Sequence, residues 1–512
     1  MSVHARLQAS PSFQDIEANW NAGKASVVFT VEAADLLTPV SAYLRLRNLD
    51  AASNKHTLLL ESVEGGVSRG RYSVIALKPD LIWACHAGQV SIQQTPENPG
   101  STQQPQTGPA LQSLRQLIEG AKVALPTGLP PMIAGIFGYL GYDMVRQMER
   151  LPNAPEDDLN LPEAILMRPG LFAVFDSVSD ELILAATIRP NATQTAQAAW
   201  DDAQTLLHAA RGCLNGSLPV QPEPKKLCPP FAEPISTFSK AEFCQAVERI
   251  QDYIAAGDAF QVVPSQRFST AFPLPSLDLY RSLRRINPAP FLFHLDFGNF
   301  SLVGSSPEIL VRLRDGKMTV RPLAGTRPRG RSAEEDLQLE QDLLNDQKEL
   351  AEHLMLIDLG RNDVGRVCQP GTVHVTERFV VERFSHVMHI SSNVEGMIRP
   401  EFDALDALVA AFPAGTLTGA PKIRAMEIID EVERTRRATY AGCIGYFGAD
   451  GDMDTCIGLR MAVVKDGVMH VQAGCGVVAD SVPEAEHEET QHKARAVFRA
   501  AEAAIKQARS RQ

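Results

Sequence analysis

The sequence predicts an α+β chain built from layered, largely antiparallel β-sheets with flanking helices, together with a smaller N-terminal α+β domain. Three observations carry that expectation. Short runs rich in β-branched and aromatic residues, bounded by turn residues, recur along the whole chain. Regular strand–helix–strand units are few, which disfavours a parallel sheet. From 212 to 234 the chain carries two Gly and six Pro, the composition of an extended linker. The division is therefore a first domain over 1–212, a linker over 213–234 and a second domain over 235–512.

In chain order, 57–62 (TLLLES) reads as a strand running into Val63-Glu64-Gly65-Gly66, and 71–77 (RYSVIAL) as the next strand. The Gln-, Pro-, Thr- and Gly-rich 91–109 lacks periodicity and reads as a mobile surface loop. Residues 133–142 (IAGIFGYLGY) carry three glycines in an apolar run, which suits a buried strand approached closely by other backbone. Strands at 171–175 and 182–187 and a helix over 193–211 complete the first domain. Ser239 with Glu242 three residues later is a capping-box signature. Phe243, Val247, Ile250 and Ile254 then trace one helical face that Gly257 ends. Beyond it, strands are expected at 260–268, 291–297, 309–313, 318–322, 442–447, 456–464 and 468–473. Helices are expected near 277–286, 337–358, 403–411, 422–434 and 483–507.

Lys and Arg number 49 against 61 Asp and Glu, a net charge of −12 that argues against a general nucleic-acid or anionic-membrane surface. No apolar run resembles a signal segment or a spanning helix, so a cytoplasmic protein is expected. Eight scattered cysteines form no C-x-x-C and read as free thiols.

The chemistry concentrates in the second domain. Within 349–363 (ELAEHLMLIDLGRND), Leu354-Met355-Leu356-Ile357 leaves no polar side, so this helix is expected to be buried all round. Yet Glu349 and Glu352 stand on one face of it at i, i+3, and buried carboxylates are costly unless paired or bound to a metal. Glu486 and Glu489 repeat the spacing near the start of the last helix, where an acidic first turn also suits the helix dipole. Two such pairs could enclose a hard divalent ion, and Mg2+ typically takes only one or two protein carboxylates and leaves its other positions to water and substrate. Glu308, at a turn entering a strand, is a general acid or a turn residue, and His389 ends an apolar strand-like run. Gly415-Thr416-Leu417-Thr418-Gly419-Ala420-Pro421-Lys422 leads into a helix and offers free amides to a carboxylate. It is not a Walker loop. Gly474-Cys475-Gly476-Val477-Val478-Ala479 imitates a dinucleotide fingerprint but follows a strand in an antiparallel setting, so it is rejected as one. Arg460 and Lys493 supply cations in the same third of the chain.

Taken together, GSSPE (304–308), PLAGTRPRG (322–330), KELAEHLMLIDLGRND (348–363), FSHVMH (384–389), GTLTGAPK (415–422), DTCIGLR (454–460), QAGCGVV (472–478) and ETQHKARAV (489–497) resemble the chorismate-utilising enzymes, most closely the anthranilate synthase component I group. The resemblance implies Mg2+ mainly on Glu352 and Glu489, with Glu349 and Glu486 supporting the ion and its waters. It implies that Thr416, Tyr440, Arg460, Lys493 and the amides of Gly474 and Gly476 meet the substrate carboxylates. Ammonia would add to the chorismate ring with loss of its hydroxyl, and pyruvate would leave to give anthranilate, the first step of tryptophan biosynthesis. Glu308 would protonate the departing hydroxyl, His389 would assist elimination, and Thr326 would lie beside the incoming ammonia. Sister enzymes carry a nucleophilic lysine where Ala324 stands, or a basic lysine near Gln261, and neither residue here can do that work.

The resemblance extends to a tryptophan feedback site made by Glu61 and Ser62 and by Asn287, Pro288, Ala289, Pro290 and Phe291, with Ser62 on the amino-acid head group. The usual Asn-Pro-Ser-Pro-Tyr-Met reads Asn-Pro-Ala-Pro-Phe-Leu here. No G-x-C-x-G elbow accompanies a downstream His-x-Glu, so a separate glutamine amidotransferase subunit is expected to supply ammonia. The resemblance implies a heterotetramer of two large and two small chains.

Overall fold

The computed structural model describes residues 10–49, 55–64, 68–96, 101–219, 229–384 and 387–510. Two long strands, Tyr72–His86 and Ala164–Asp176, pair from Tyr72 opposite Asp176 to Cys85 opposite Ala164. Their two halves feed two separate arms of antiparallel sheet. The halves holding Val74 and Val174 continue outward, on one side through Glu181–Ile188 to Ser26–Ala33. On the other side they continue through Thr57–Glu61, Phe291–Asp296, Phe300–Ser306, Met461–Lys465, Val468–Gly474 and Ser265–Ala271. The halves holding Ile82 and Leu166 join Gln89–Gln94 on one edge. On the other they join Ile136–Leu140, Cys443–Phe447, Met453–Ile457, Ile309–Arg314, Lys317–Val320 and Val387–Met397. Val387–Met397 is finally flanked by Leu323–Pro328 and His374–Arg383. Every ladder named is antiparallel, as the pattern of short alternating runs implied.

Strands from before residue 212 thus sit inside the same sheets as strands from after 234, through Leu292 opposite Glu61 and Cys443 opposite Leu140. Within the linker, 220–228 lie outside the described residues, as do Gly65 and Gly66, Cys228 and 97–100 of the expected loop. The rest of that loop is not all irregular: Gln89–Gln94 is a strand, and Gln104–Pro105 pairs with it. The capping box at Ser239 forms, with Glu242 N–H donating to its hydroxyl at 3.3 Å, and the helix Lys240–Ala255 gives way to Gly257 at φ +85°.

Three single elements expected from the sequence are pairs. The strand expected at 260–268 is Gln261–Val262, paired with Gly419–Ala420, and then Ser265–Ala271, paired with Val468–Gly474. Pro264 separates them because it has no N–H for a ladder. The strand expected at 456–464 is Met453–Ile457 and Met461–Lys465, broken where Arg460 takes φ +52°. The helix expected at 337–358 is Ala333–Asn345 and Gln347–Val367. Between them Asp346 leaves helical geometry and its carboxylate accepts from Lys348 N at 3.0 Å and Glu349 N at 3.2 Å.

That second helix is not buried all round. His353, Leu356, Ile357 and Gly360 face the sheet, Gly360 close enough that a methyl there would meet Val320 Cγ2 at 3.1 Å, while Leu354 is 43% exposed. A solid-face helix read from four consecutive apolar residues is therefore a one-sided helix, since only every third or fourth residue reaches the sheet. The strands Phe300–Ser306, Leu323–Pro328 and His374–Arg383 and the helices Phe13–Asn21, Pro39–Leu46 and Ala110–Ala121 add to the elements legible in the sequence. Among the described residues seven cysteines are free thiols, and no helix is long and apolar enough to cross a membrane.

Candidate active site

Glu308 follows the turn between Phe300–Ser306 and Ile309–Arg314 and is 6% exposed. Its Oε1 accepts from Thr416 Oγ1 at 3.1 Å and from Leu323 N at 3.4 Å. Burial pushes its pKa up to about 8; the two hydrogen bonds and Lys493 pull the other way and lose. The carboxyl is thus mostly protonated at neutral pH, with Oε1 engaged and Oε2 left to carry the proton. A neutral acid in a dry place is what protonation of a leaving hydroxyl needs.

His389 lies on Val387–Met397 directly opposite Thr326, where the partner strand bulges at Gly325, φ +66°. The bulge turns the Gly325 carbonyl toward His389 Nδ1 at 2.9 Å, with Thr326 Oγ1 at 3.1 Å from the same nitrogen. Because a carbonyl only accepts, Nδ1 carries the proton and Nε2 keeps its lone pair. Burial pushes the His389 pKa down to about 4, reinforced by Arg460 and Lys493 and opposed by the Gly325 bond, so the ring is neutral at physiological pH. The Phe384 ring stands edge-on to it at 5.5 Å.

The carboxylates gather on the two helices the sequence indicated. Glu352 accepts from Gln261 Nε2 at 2.9 Å, and Glu349 lies 3.4 Å from Arg327 Nη1. Glu486 is buried with Oε2 lacking a hydrogen-bond partner, whereas Glu489 is exposed and pairs with Lys493 at 2.7 Å. Burial raises the pKa of Glu349, Glu352 and Glu486, and repulsion adds to it: Glu352 on Glu349, Glu489 on both Glu352 and Glu486. Burial is the main cause of these raised values and mutual repulsion a smaller one, while Arg327, Lys348 and Lys493 pull the other way.

Among the described residues no group of three or more His, Cys, Asp or Glu is placed to hold a metal ion. One or two carboxylates are the usual protein share for Mg2+, so the unpartnered Glu486 oxygen and the destabilised Glu352 fit that ion, and Glu489 would have to exchange Lys493 for it. The cations stand alongside. Lys493 Nζ donates to Gly474 O at 3.0 Å and Arg460 Nη1 to Lys493 O at 3.2 Å. Tyr440 is buried against Gly474, where an added methyl would meet its hydroxyl at 3.0 Å. A methyl on Gly476 would meet Gln261 Nε2 at 2.8 Å and Glu352 Oε1 at 3.5 Å.

The sequence matches the family described as chorismate binding enzyme over residues 78–499. A relative in Cereibacter sphaeroides, anthranilate synthase component 1, is 52% identical over 96% of this chain and 97% of its own length. The chain belongs to the chorismate-binding enzymes, in the anthranilate synthase component 1 family. A Pseudomonas aeruginosa member of that name is 48% identical over 91% of this chain and 93% of its own. Among solved structures, anthranilate synthase component I from Streptococcus pneumoniae superposes with a TM-score of 0.72 at 35% identity, covering 84% of this chain and 92% of that one. The menaquinone-specific isochorismate synthase of Escherichia coli shares the fold, with a TM-score of 0.68 at 19% identity, covering 97% and 96%.

In this chorismate-binding enzyme four of the seven residues expected to bind tryptophan meet at a second place. Glu61, Ser62, Pro290 and Phe291 line a cavity of about 670 Å³. Glu61 does not point freely into it: its carboxylate accepts from Tyr280 at 2.5 Å and from Arg284 at 2.7 and 2.9 Å. Asn287 closes the helix Ser276–Ile286, its carbonyl accepting from the Ser305 hydroxyl, and Ala289 is buried. Pro288 is partly exposed in the same turn, and none of Asn287, Pro288 and Ala289 lines the cavity.

Sequence reasoning missed Gly325, whose φ > 0 and carbonyl orient His389. It also missed Arg327, which gathers Asp342, Asp346 and Glu349 at 2.6, 2.8 and 3.4 Å. The glycine within PLAGTRP was the available signal, since an interior strand glycine marks a bulge. Gly476→Ala is expected to dislodge Gln261 from Glu352 and lower kcat/KM by about ten- to a hundredfold, because small misplacements at a reacting centre cost that much. Gly120→Ala, at a helical glycine with open space around it, is the control expected to leave kcat/KM unchanged. Steady-state kinetics of the two variants checks both.

Proposed function

We propose that this chain is a lyase converting chorismate and ammonia to anthranilate and pyruvate, the first step of tryptophan biosynthesis, in the cytoplasm. The observation that carries the reading is the buried, protonated Glu308 hydrogen-bonded by Thr416, with the neutral ring of His389 under the field of Lys493, the ammonium that also faces Glu308. Chorismate is a dianion, and Arg460, Lys493 and the amides near Gly474 and Gly476 offer it cations and N–H donors. Glu308 donates its proton to the hydroxyl as that group leaves, and the dry pocket keeps the acid neutral until then. His389 Nε2, freed by the Gly325 bond, is oriented to handle a proton during loss of pyruvate. Mg2+ held by Glu352 and Glu489, with Glu349 and Glu486 behind, would supply positive charge to a substrate carboxylate. Ala324 and Gln261 offer no amine, which favours free ammonia as nucleophile over a lysine-tethered route or water.

Glutamine would reach the reaction through a companion glutamine amidotransferase, in an assembly of two large and two small chains; the relatives' designation as component 1 supports a companion. Tryptophan is proposed to bind the cavity of Ser62, Pro290 and Phe291. Pro307 and Ile309, on either side of Glu308, and Leu323, whose N–H bonds Glu308, also line it, so an occupant there would press on the acid's own support.

The test is an assay of the chain with chorismate, Mg2+ and ammonium, following anthranilate fluorescence with and without tryptophan. Anthranilate and pyruvate in equal amounts are expected, and consumption of chorismate without anthranilate would overturn the reading. Ser62→Ala is expected to raise the tryptophan concentration for half-inhibition at least about tenfold while leaving kcat unchanged, the loss of one hydrogen bond to a charged head group.

A further inference from the structure

Behind the residues that would touch substrate lies a buried ion pair that the mechanism does not use. Glu433 and Arg437 stand at i, i+4 just past the helix Lys422–Val432, with side chains 3% and 1% exposed. The guanidinium grips the carboxylate through Nη2 at 2.6 Å and Nε at 3.0 Å. Two further N–H groups go to backbone carbonyls, Leu417 O at 2.7 Å and Val263 O at 2.6 Å. Glu433 in turn accepts from Ser265 N at 2.8 Å and Ser265 Oγ at 2.7 Å.

These partners lie on the supports of both halves of the site. Leu417 adjoins Thr416, which bonds Glu308. Val263 and Ser265 bracket Pro264, whose carbonyl accepts from Cys475 N at 3.1 Å between Gly474 and Gly476, and Gln261 two residues earlier bonds Glu352. The Arg437 guanidinium also lies 5.6 Å from the Tyr440 ring centroid. A planar five-donor fork is the one side chain that can hold a carboxylate and two divergent carbonyls at once; a lysine ammonium cannot keep that geometry.

We infer that the Glu433–Arg437 pair is a positioning device that sets the Thr416 donor on the acid Glu308 and the Gln261 donor on Glu352 relative to one another. It touches neither substrate nor reacting atoms. The inference rests on the proposed reaction for its kinetic readout, and a spectroscopic readout stands apart from that reaction.

Two variants test it. Arg437→Lys keeps the charge and loses the fork. The double variant Arg437→Met with Glu433→Leu replaces the pair by apolar side chains, a change that buried ion pairs commonly tolerate in stability. Folding is read by near-ultraviolet circular dichroism and thermal melting. The protonation of Glu308 is read from its infrared carbonyl band, assigned by difference against Glu308→Gln. Thr416 now lowers the Glu308 pKa, so losing its alignment is expected to move that titration upward in both variants, with Lys493, Arg321 (paired with Glu382) and the Asp363–Lys422 pair, which surround this pocket, unchanged. kcat is expected to fall at least tenfold with KM for chorismate changed less than threefold.

Combining Arg437→Lys with Thr416→Val should give a titration no higher than Thr416→Val alone, since both act through one bond. A folded apolar-pair variant with wild-type kcat and an unmoved Glu308 band would overturn the inference and leave the pair a purely structural one. Wild-type chain making no anthranilate would sink the proposed reaction instead, while the infrared titration would still decide the positioning.

Discussion

Glu308→Gln is expected to lower kcat by about 10²- to 10⁴-fold, the range a positioned general acid supplies. The amide is nearly isosteric, and its carbonyl can still accept from Thr416 Oγ1 and Leu323 N, so the loss isolates the proton rather than the packing. Stability should move the opposite way at high pH. A carboxyl whose folded pKa is raised contributes stability that is fully present below its ordinary value and is lost as pH rises through the folded one. For Glu308 that window runs from the usual carboxylate range up to about 8. At pH 9 the wild-type chain must hold a buried charge that the Gln variant lacks, so the variant is expected to melt higher there, while at pH 4 the two should melt together. Turnover that depends on the protonated form should fall off above about 8. Thermal melts and pH–rate profiles of the two proteins check this, and an active Gln variant would remove Glu308 from the chemistry.

How much of this was legible in the sequence follows from what each signal depends on. Capping chemistry is local, and Ser239 with Glu242 behaves as written. The paired carboxylates were legible because i, i+3 spacing fixes a shared helix face whatever packs against it. The acid character of Glu308 was not readable from residue type: it comes from burial, and burial is decided by Leu323 and Thr416 arriving from 15 and 108 residues away. The role of Gly325 needed the register of Thr326 against His389, a property of two strands 63 residues apart. Long elements were misread where one residue breaks them, as at Asp346 and Pro264, because composition averages over a window and a cap or a missing N–H does not. The all-round burial expected of the 349–363 helix failed for the same reason, since four apolar neighbours in sequence are spread around the helix and Leu354 points to solvent.

Glu352→Gln is expected to cost at least about a hundredfold in kcat/KM and to raise the Mg2+ concentration for half-activity at least about tenfold, since losing even an outer partner of a metal ligand costs about 10- to 100-fold. In the metal-free chain the same change should be stabilising. Burial, with Glu489 adding repulsion, raises the Glu352 pKa, so its ionised form is a cost to the folded state that grows as pH rises through that raised value. Gln removes the charge, and its amide group can still exchange a hydrogen bond with Gln261. Added Mg2+ should therefore raise the melting temperature of the wild type and leave the variant nearly unchanged, reversing their order. A cation bound beside Glu352 would offset the burial cost of its charge, and the Gln variant has no such charge to offset. Melting curves with chelator and with Mg2+, on both proteins at pH 7.5 to 8.5, provide the check. Equal Mg2+ stabilisation of the two would place the ion on other carboxylates and leave Glu352 as the anchor of Gln261 alone.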